Sequence, residues 1–138
     1  MKLYTKILLI ICMVICLYAF TACSVETTDK KKLGDVDFTV VPEENIPEEL
    51  KKIIDERKGE LFKTTYTDKE NLYIVIGYGK QPTGGYSIRV SELYQTKNGM
   101  YIKTEFIGPS KNEEVPQTVT YPFIVIKMDY TDKSVIFK

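Results

Sequence analysis

The chain has 138 residues, 19 Lys and Arg balanced by 19 Asp and Glu, and no histidine. A neutral balance without a basic stripe argues against a nucleic-acid surface. The missing histidine removes His-based acid–base catalysis, Ser-His and Cys-His nucleophile pairs, and the usual zinc ligands.

The first residues read as a targeting segment. Lys2 and Lys6 precede an apolar run from Ile7 to Leu17, and small residues Thr21 and Ala22 stand before Cys23. That is the layout of a signal peptide. Ile7 to Phe20 is 14 residues, whereas a spanning helix needs roughly 20 apolar residues. Phe20-Thr21-Ala22-Cys23 resembles the lipobox read by lipoprotein signal peptidase, with Phe20 in place of the commoner Leu. The resemblance implies cleavage after residue 22 and a lipid, palmitate included, on Cys23. The chain is then held on the cell membrane, facing the extracytoplasmic side.

Cys12 and Cys16 leave with that segment and the lipid consumes Cys23, so the mature chain has no free thiol. No disulfide framework and no Cys-based metal site is expected. Cleavage also removes Lys2 and Lys6 and no acid, leaving a net charge of −2. Residues 23–34 read as the lipidated cysteine and a polar tether that includes Lys30-Lys31-Lys32. A flexible segment of this length reaches about 18 Å.

Residues 35–138 read as one domain, large enough to hold a core without staples. Val36-Asp37-Phe38-Thr39-Val40 alternates as a half-buried strand does. A helix follows: Pro47 suits its first turn, Glu48 and Glu49 its positive end, and Gly59 its stop. Ile46, Leu50, Ile53, Ile54 and Leu61 fall on one stripe, so the helix packs on something.

Strand after strand then follows, at Leu61–Tyr66, Leu72–Tyr78, Gly85–Tyr94, Met100–Ile107, Val119–Met128 and Ser134–Phe137. Lys97-Asn98-Gly99 reads as an Asn-Gly hairpin. Leu72-Tyr73-Ile74-Val75-Ile76 is apolar on both faces, which places it centrally. Pro122 calls for a bulge or an edge in its strand. The fold class is α+β, a predominantly antiparallel β domain with one packed N-terminal helix.

Gly77 to Ile88 holds four of the eight glycines. Pro82 fixes its own φ, Gly84 and Gly85 can take positive φ, and paired glycines leave backbone groups open to a partner. No phosphate-cradling pattern is present. Gly79-Lys80-Gln81-Pro82-Thr83-Gly84-Gly85-Tyr86-Ser87-Ile88, with the Leu72–Ile76 strand before it and Thr120-Tyr121-Pro122-Phe123-Ile124-Val125-Ile126 after, resembles the C-terminal domain of the protease-complex subunit PrcB. The similarity runs from about Phe38 to Phe137.

The resemblance implies a role in protein binding or assembly, not catalysis, since that family's founding members are lipoproteins that assist an extracellular protease complex. Partner contact is expected at Lys80, Pro82, Thr83, Gly84, Gly85 and Tyr86, and the partner is another secreted or surface protein, a protease among the candidates. As a contact surface, the loop would tolerate Gly85→Asp and Tyr86→Ala with little change in thermal midpoint. The alternative is protease inhibition, because Pro82-Thr83-Gly84-Gly85-Tyr86 is also similar to the Asn-Pro-Thr-Thr-Gly loop of chagasin-like inhibitors. Gln81 for Asn, Gly84 for Thr and the absence of Trp depart from that pattern.

No cofactor and no metal site is expected. Asp129-Tyr130-Thr131-Asp132-Lys133 lacks the ligand repeat of a calcium loop and reads as a charged turn.

Overall fold

The structure, a computed structural model, describes residues 1–7 and 31–138. Residues 2–7 are helical, and no helix among the described residues is long and apolar enough to cross a membrane. The rest of the expected signal peptide, Cys23 and the tether as far as Lys30 lie outside the described residues.

Eight strands and one α-helix follow in chain order: β1 (Gly34–Asp35), β2 (Thr39–Val40), α1 (Glu48–Arg57), β3 (Leu61–Thr67), β4 (Asn71–Tyr78), β5 (Ser87–Gln95), β6 (Met100–Ile107), β7 (Phe123–Asp129) and β8 (Val135–Phe137). They form two four-stranded sheets, ordered β1-β5-β6-β8 and β2-β7-β4-β3. The pairings are antiparallel except one: β8 runs parallel to β6, with Met100 opposite Val135 and Ile102 opposite Phe137.

Strand β4 explains the layering. Its β-branched run is interior to the second sheet, between β7 and β3. Leu72, Ile74 and Ile76 project to one face and pack with Leu93, Met100 and Ile102 of the first sheet and with Ile124, Ile126 and Met128 of β7. Tyr73 and Val75 project to the other face, into a second cluster with Ile46, Leu50, Ile54 and Phe62. The domain is thus three layers: helix, sheet, sheet.

Helix α1 begins one residue later than Pro47, which takes an extended conformation at the N-cap and accepts a hydrogen bond from Lys51 N at 2.9 Å. Leu50 and Ile54 are buried, as its stripe predicts, and burying a Leu or Ile side chain stabilises by about 1.5–3 kcal/mol. Leu61 does not join them. It starts β3, and its side chain is 65% exposed. The helix ends without a left-handed glycine, because among the described residues Gly79 and Gly85 have positive φ, not Gly59.

Three other expectations need correction. Val36–Val40 is not one strand, because the chain crosses from the first sheet to the second within it. Gly34–Asp35 pairs with β5 and Thr39–Val40 with β7, so Val36 packs on the core while Phe38 and Val40 are exposed. The β5–β6 hairpin exists, but its turn is shifted. Gln95 pairs with Met100 and Thr96 N donates to Gly99 O at 2.8 Å, so Lys97 and Asn98 are central, and neither has positive φ. Pro122 neither bulges a strand nor lies within one. It precedes β7, and its carbonyl accepts a hydrogen bond from Tyr78 N at 2.9 Å.

The sandwich has two poles. One carries Asn71, Asp129 and the 96–99 hairpin, and there the chain enters through β1. The other carries the ends of β4 and β6, the starts of β3, β5 and β7, and the glycine-rich loop.

Candidate functional site: the buttressed glycine loop

The loop from Gly79 to Tyr86 crosses from one sheet to the other, and the long β6–β7 connection clamps it. Gly79 turns the chain at φ +74°, where a side chain would press on the Glu60 and Leu61 backbone. Gln81 and Thr120 form an antiparallel bridge through N···O contacts of 2.8 and 3.0 Å. Thr120 Oγ1 donates to Thr83 O at 2.7 Å, and Gly84 N donates to Pro116 O at 2.9 Å. The clamp is itself tied: Ser110 N donates to a Glu113 carboxylate at 3.0 Å and Glu113 N to Ser110 O at 3.0 Å.

These contacts separate the expected contact residues into two kinds. Lys80, Pro82 and Gly85 are exposed, and the Lys80 ammonium has no acidic partner among the described residues. Thr83 is half-buried, with its hydroxyl donating to Gly84 O at 3.0 Å. Gly84 is buried, and both its backbone groups are engaged. Of the glycine pair, then, only Gly85 offers backbone to a partner.

Gly85 is also held by sterics. Its φ is +83°, and a Cβ there would lie 2.4 Å from Val115 Cγ1 and 3.0 Å from Pro109 Cβ. Only glycine meets both constraints. Gly85→Asp therefore cannot leave the thermal midpoint unchanged, contrary to the expectation from sequence.

Tyr86 is half-buried and stacks on Phe106, with ring centroids 5.2 Å apart and 11° between planes. Phe106 stacks in turn on Tyr78 at 4.3 Å and 6°. Tyr78 fixes the stack through a 2.7 Å hydrogen bond between its hydroxyl and Thr104 Oγ1. The three rings stack in series at the loop pole, so Tyr86 is packed against the domain as well as partly exposed.

Exposed apolar residues flank the loop. Leu61 opens β3 opposite Tyr78, Ile107 closes β6 opposite Ser87, and Val119 and Tyr121 flank Thr120. All four are exposed. The clamp residues Pro109, Val115 and Pro116 were not singled out by sequence reasoning. The signal available was a connection of 15 residues between strands, long enough to require a function or an anchoring site.

At the opposite pole lies an open concavity of about 620 Å³, bordered by Asp35, Phe38, Asn71, Lys127 and Tyr130. The 129–133 turn reaches it, with Tyr130 N bonded to Glu70 O. Among the described residues no three His, Cys, Asp or Glu side chains gather to hold a metal.

Fold and site together define a helix-backed β-sandwich whose one pole is a rigid, partly apolar loop surface. Residues 72–129 match the family model described as PrcB C-terminal. The match runs from β4 to the end of β7 and so takes in the glycine loop, its aromatic stack and its clamp, while α1, β3 and β8 lie outside it. No curated protein and no solved structure matches the chain.

Proposed function

We propose that this chain is a non-catalytic, membrane-anchored protein-binding module that assists assembly or stability of a secreted or surface complex, such as a protease complex, outside the cytoplasm. The observation that carries the reading is the loop itself. It is pre-organised by the 109–121 clamp, so little ordering is required on binding. It presents Lys80, Pro82 and the Gly85 backbone beside exposed Leu61, Ile107, Val119 and Tyr121. Thr83, Gly84 and Tyr86 shape this surface from beneath.

The anchor on Cys23 suits this arrangement. The chain enters the sandwich at β1, opposite the far end of β5 from the loop. A strand of nine residues separates the poles by roughly 25–30 Å. The loop then faces away from the attachment point, towards partners.

The test uses membranes from cells carrying the parent chain or Lys80→Glu with Pro82→Ala, both at exposed positions. Solubilised complexes are captured and identified by mass spectrometry. A protein retained by the parent, and lost with a variant of unchanged melting temperature, supports the reading; equal retention by both sinks the loop as contact surface. Effect on the activity of a retained protease separates assistance from inhibition. Mass analysis of the N-terminal peptide, with Cys23→Ala as control, reports the lipid.

A further inference from the structure

The four edge strands of the two sheets are unequal. β1, β2 and β8 have two, two and three residues, whereas β3 has seven. Short strands are a usual means of blunting a sheet edge against association. β3 has no bulge, proline or glycine: its register with β4 is unbroken from Leu61 to Thr67, and its single charge is Lys63, whose ammonium lies over the Phe137 ring. Its composition, Leu-Phe-Lys-Thr-Thr-Tyr-Thr, is strongly strand-forming.

The direction of its backbone groups follows from the ladder. Asp68 N donates to Asn71 O, which makes Asp68 and Asn71 a hydrogen-bonded pair at the turn. Alternation then turns Tyr66, Thr64 and Phe62 towards β4 and leaves the N–H and C=O groups of Thr67, Thr65, Lys63 and Leu61 pointing away from the sheet. No described residue accepts or supplies bonds there.

We propose that β3 joins two copies of this chain, edge to edge and antiparallel, into one continuous sheet centred on Thr64. In that register Leu61 faces Thr67 of the other copy and Lys63 faces Thr65. All four outward residues are bonded, and the one charge of the strand meets no like charge directly opposite. Thr64 faces its own counterpart at a non-hydrogen-bonded site, where Cα atoms lie about 4.5 Å apart. Leu61, 65% exposed, gains cover. A two-fold axis makes the contact self-complementary and closed, as dimers of one chain require.

The test uses the full chain in the membranes that express it. Thr64→Cys should give a disulfide-linked dimer under mild oxidation, since the expected Cα separation falls within disulfide range. The parent, whose own cysteines are confined to residues 12–23, gives the background. Adding Thr65→Pro removes an outward N–H and no bond to β4, and should cut the dimer roughly tenfold, the worth of a hydrogen bond at each of two symmetry-related sites. Thr65→Lys, which sets Lys opposite Lys63, should weaken the dimer without a proline, and Thr65→Glu should strengthen it. A Thr64→Cys chain that reacts with a thiol reagent but never dimerises overturns the proposal. So does dimer yield indifferent to residue 65, or a cross-link to a chain of different mass, which would give the edge to a heterologous strand.

Discussion

Gly77 lies directly opposite Phe62 across the β3–β4 ladder, and the Phe62 ring occupies the space that a side chain at 77 would need. A Cβ on Gly77 would sit 2.2 Å from Phe62 Cε1. Phe62 is 4% exposed, packed under α1 with Leu50 and Ile54 and beneath the Arg57 guanidinium at 5.2 Å. The ring has little room to retreat. Gly77→Ala should therefore destabilise by about 1–3 kcal/mol, the usual cost of overpacking a filled core. Denaturant unfolding would register this as a lower midpoint with unchanged slope, and Phe62→Leu in the same chain should recover part of it.

Within the loop, stability and exposure divide by residue. Gly85→Ala must bring a methyl against Val115 in a left-handed backbone, and should cost about 1–3 kcal/mol. Pro82→Ala, at an exposed position, should stay within about 0.5 kcal/mol of the parent. Thermal melts of both, with Gly85→Ala/Val115→Ala as a third, separate the steric part from the backbone part. A Gly85→Ala protein as stable as its parent would mean that the clamp does not press on the loop.

The aromatic stack leads to a third expectation. Tyr86→Ala removes one ring from the Tyr78–Phe106–Tyr86 series and should lose about 0.5–1.5 kcal/mol beyond its area burial. Tyr86→Phe keeps the ring and should be near neutral, since among the described residues the Tyr86 hydroxyl makes no hydrogen bond that would hold the loop. If Tyr86→Ala melts with the parent, the ring is surface alone, as the sequence suggested.

Much of the fold was legible in the chain because local pattern and tertiary role agree. Leu72–Ile76 is apolar on both faces since β4 has a sheet on one side and a helix on the other. What escaped reading depends on pairing over distance. β8 is legible as the Ser134–Phe137 strand, but its parallel pairing with β6 carries no local mark, because a three-residue strand gains its partner only from the fold. Val36–Val40 alternates correctly yet divides between two sheets, a choice made by β5 and β7 and not by the segment itself. At the site, glycine and proline marked a turn, and the residues matching the PrcB pattern marked its surface. Val115, Pro116 and Thr120, which hold that turn, lie some thirty residues downstream.

Asp68 gives the pH test. Its carboxylate caps the β3–β4 turn, with Oδ1 accepting from Glu70 N at 2.9 Å and Asn71 N at 2.7 Å, and Oδ2 from the Tyr73 hydroxyl at 3.3 Å. The bond from Glu70 N, followed by those from Asn71 and Tyr73, holds its pKa below the ordinary value of 3.8. Burial and the adjacent Asp68 charge push the Tyr73 hydroxyl above 10.0. A carboxylate with a depressed folded pKa stabilises fully above its unfolded value, and the contribution is lost as pH falls through the folded one. The turn should therefore keep its full support at neutral pH and lose it below about pH 4. Asp68→Asn removes the charge while keeping one acceptor, so it should lower the midpoint near pH 7 and flatten the stability profile between about pH 5 and pH 2. Parallel profiles for parent and Asp68→Asn across that window would show that the capping bonds do not discriminate between the ionised and neutral carboxyl.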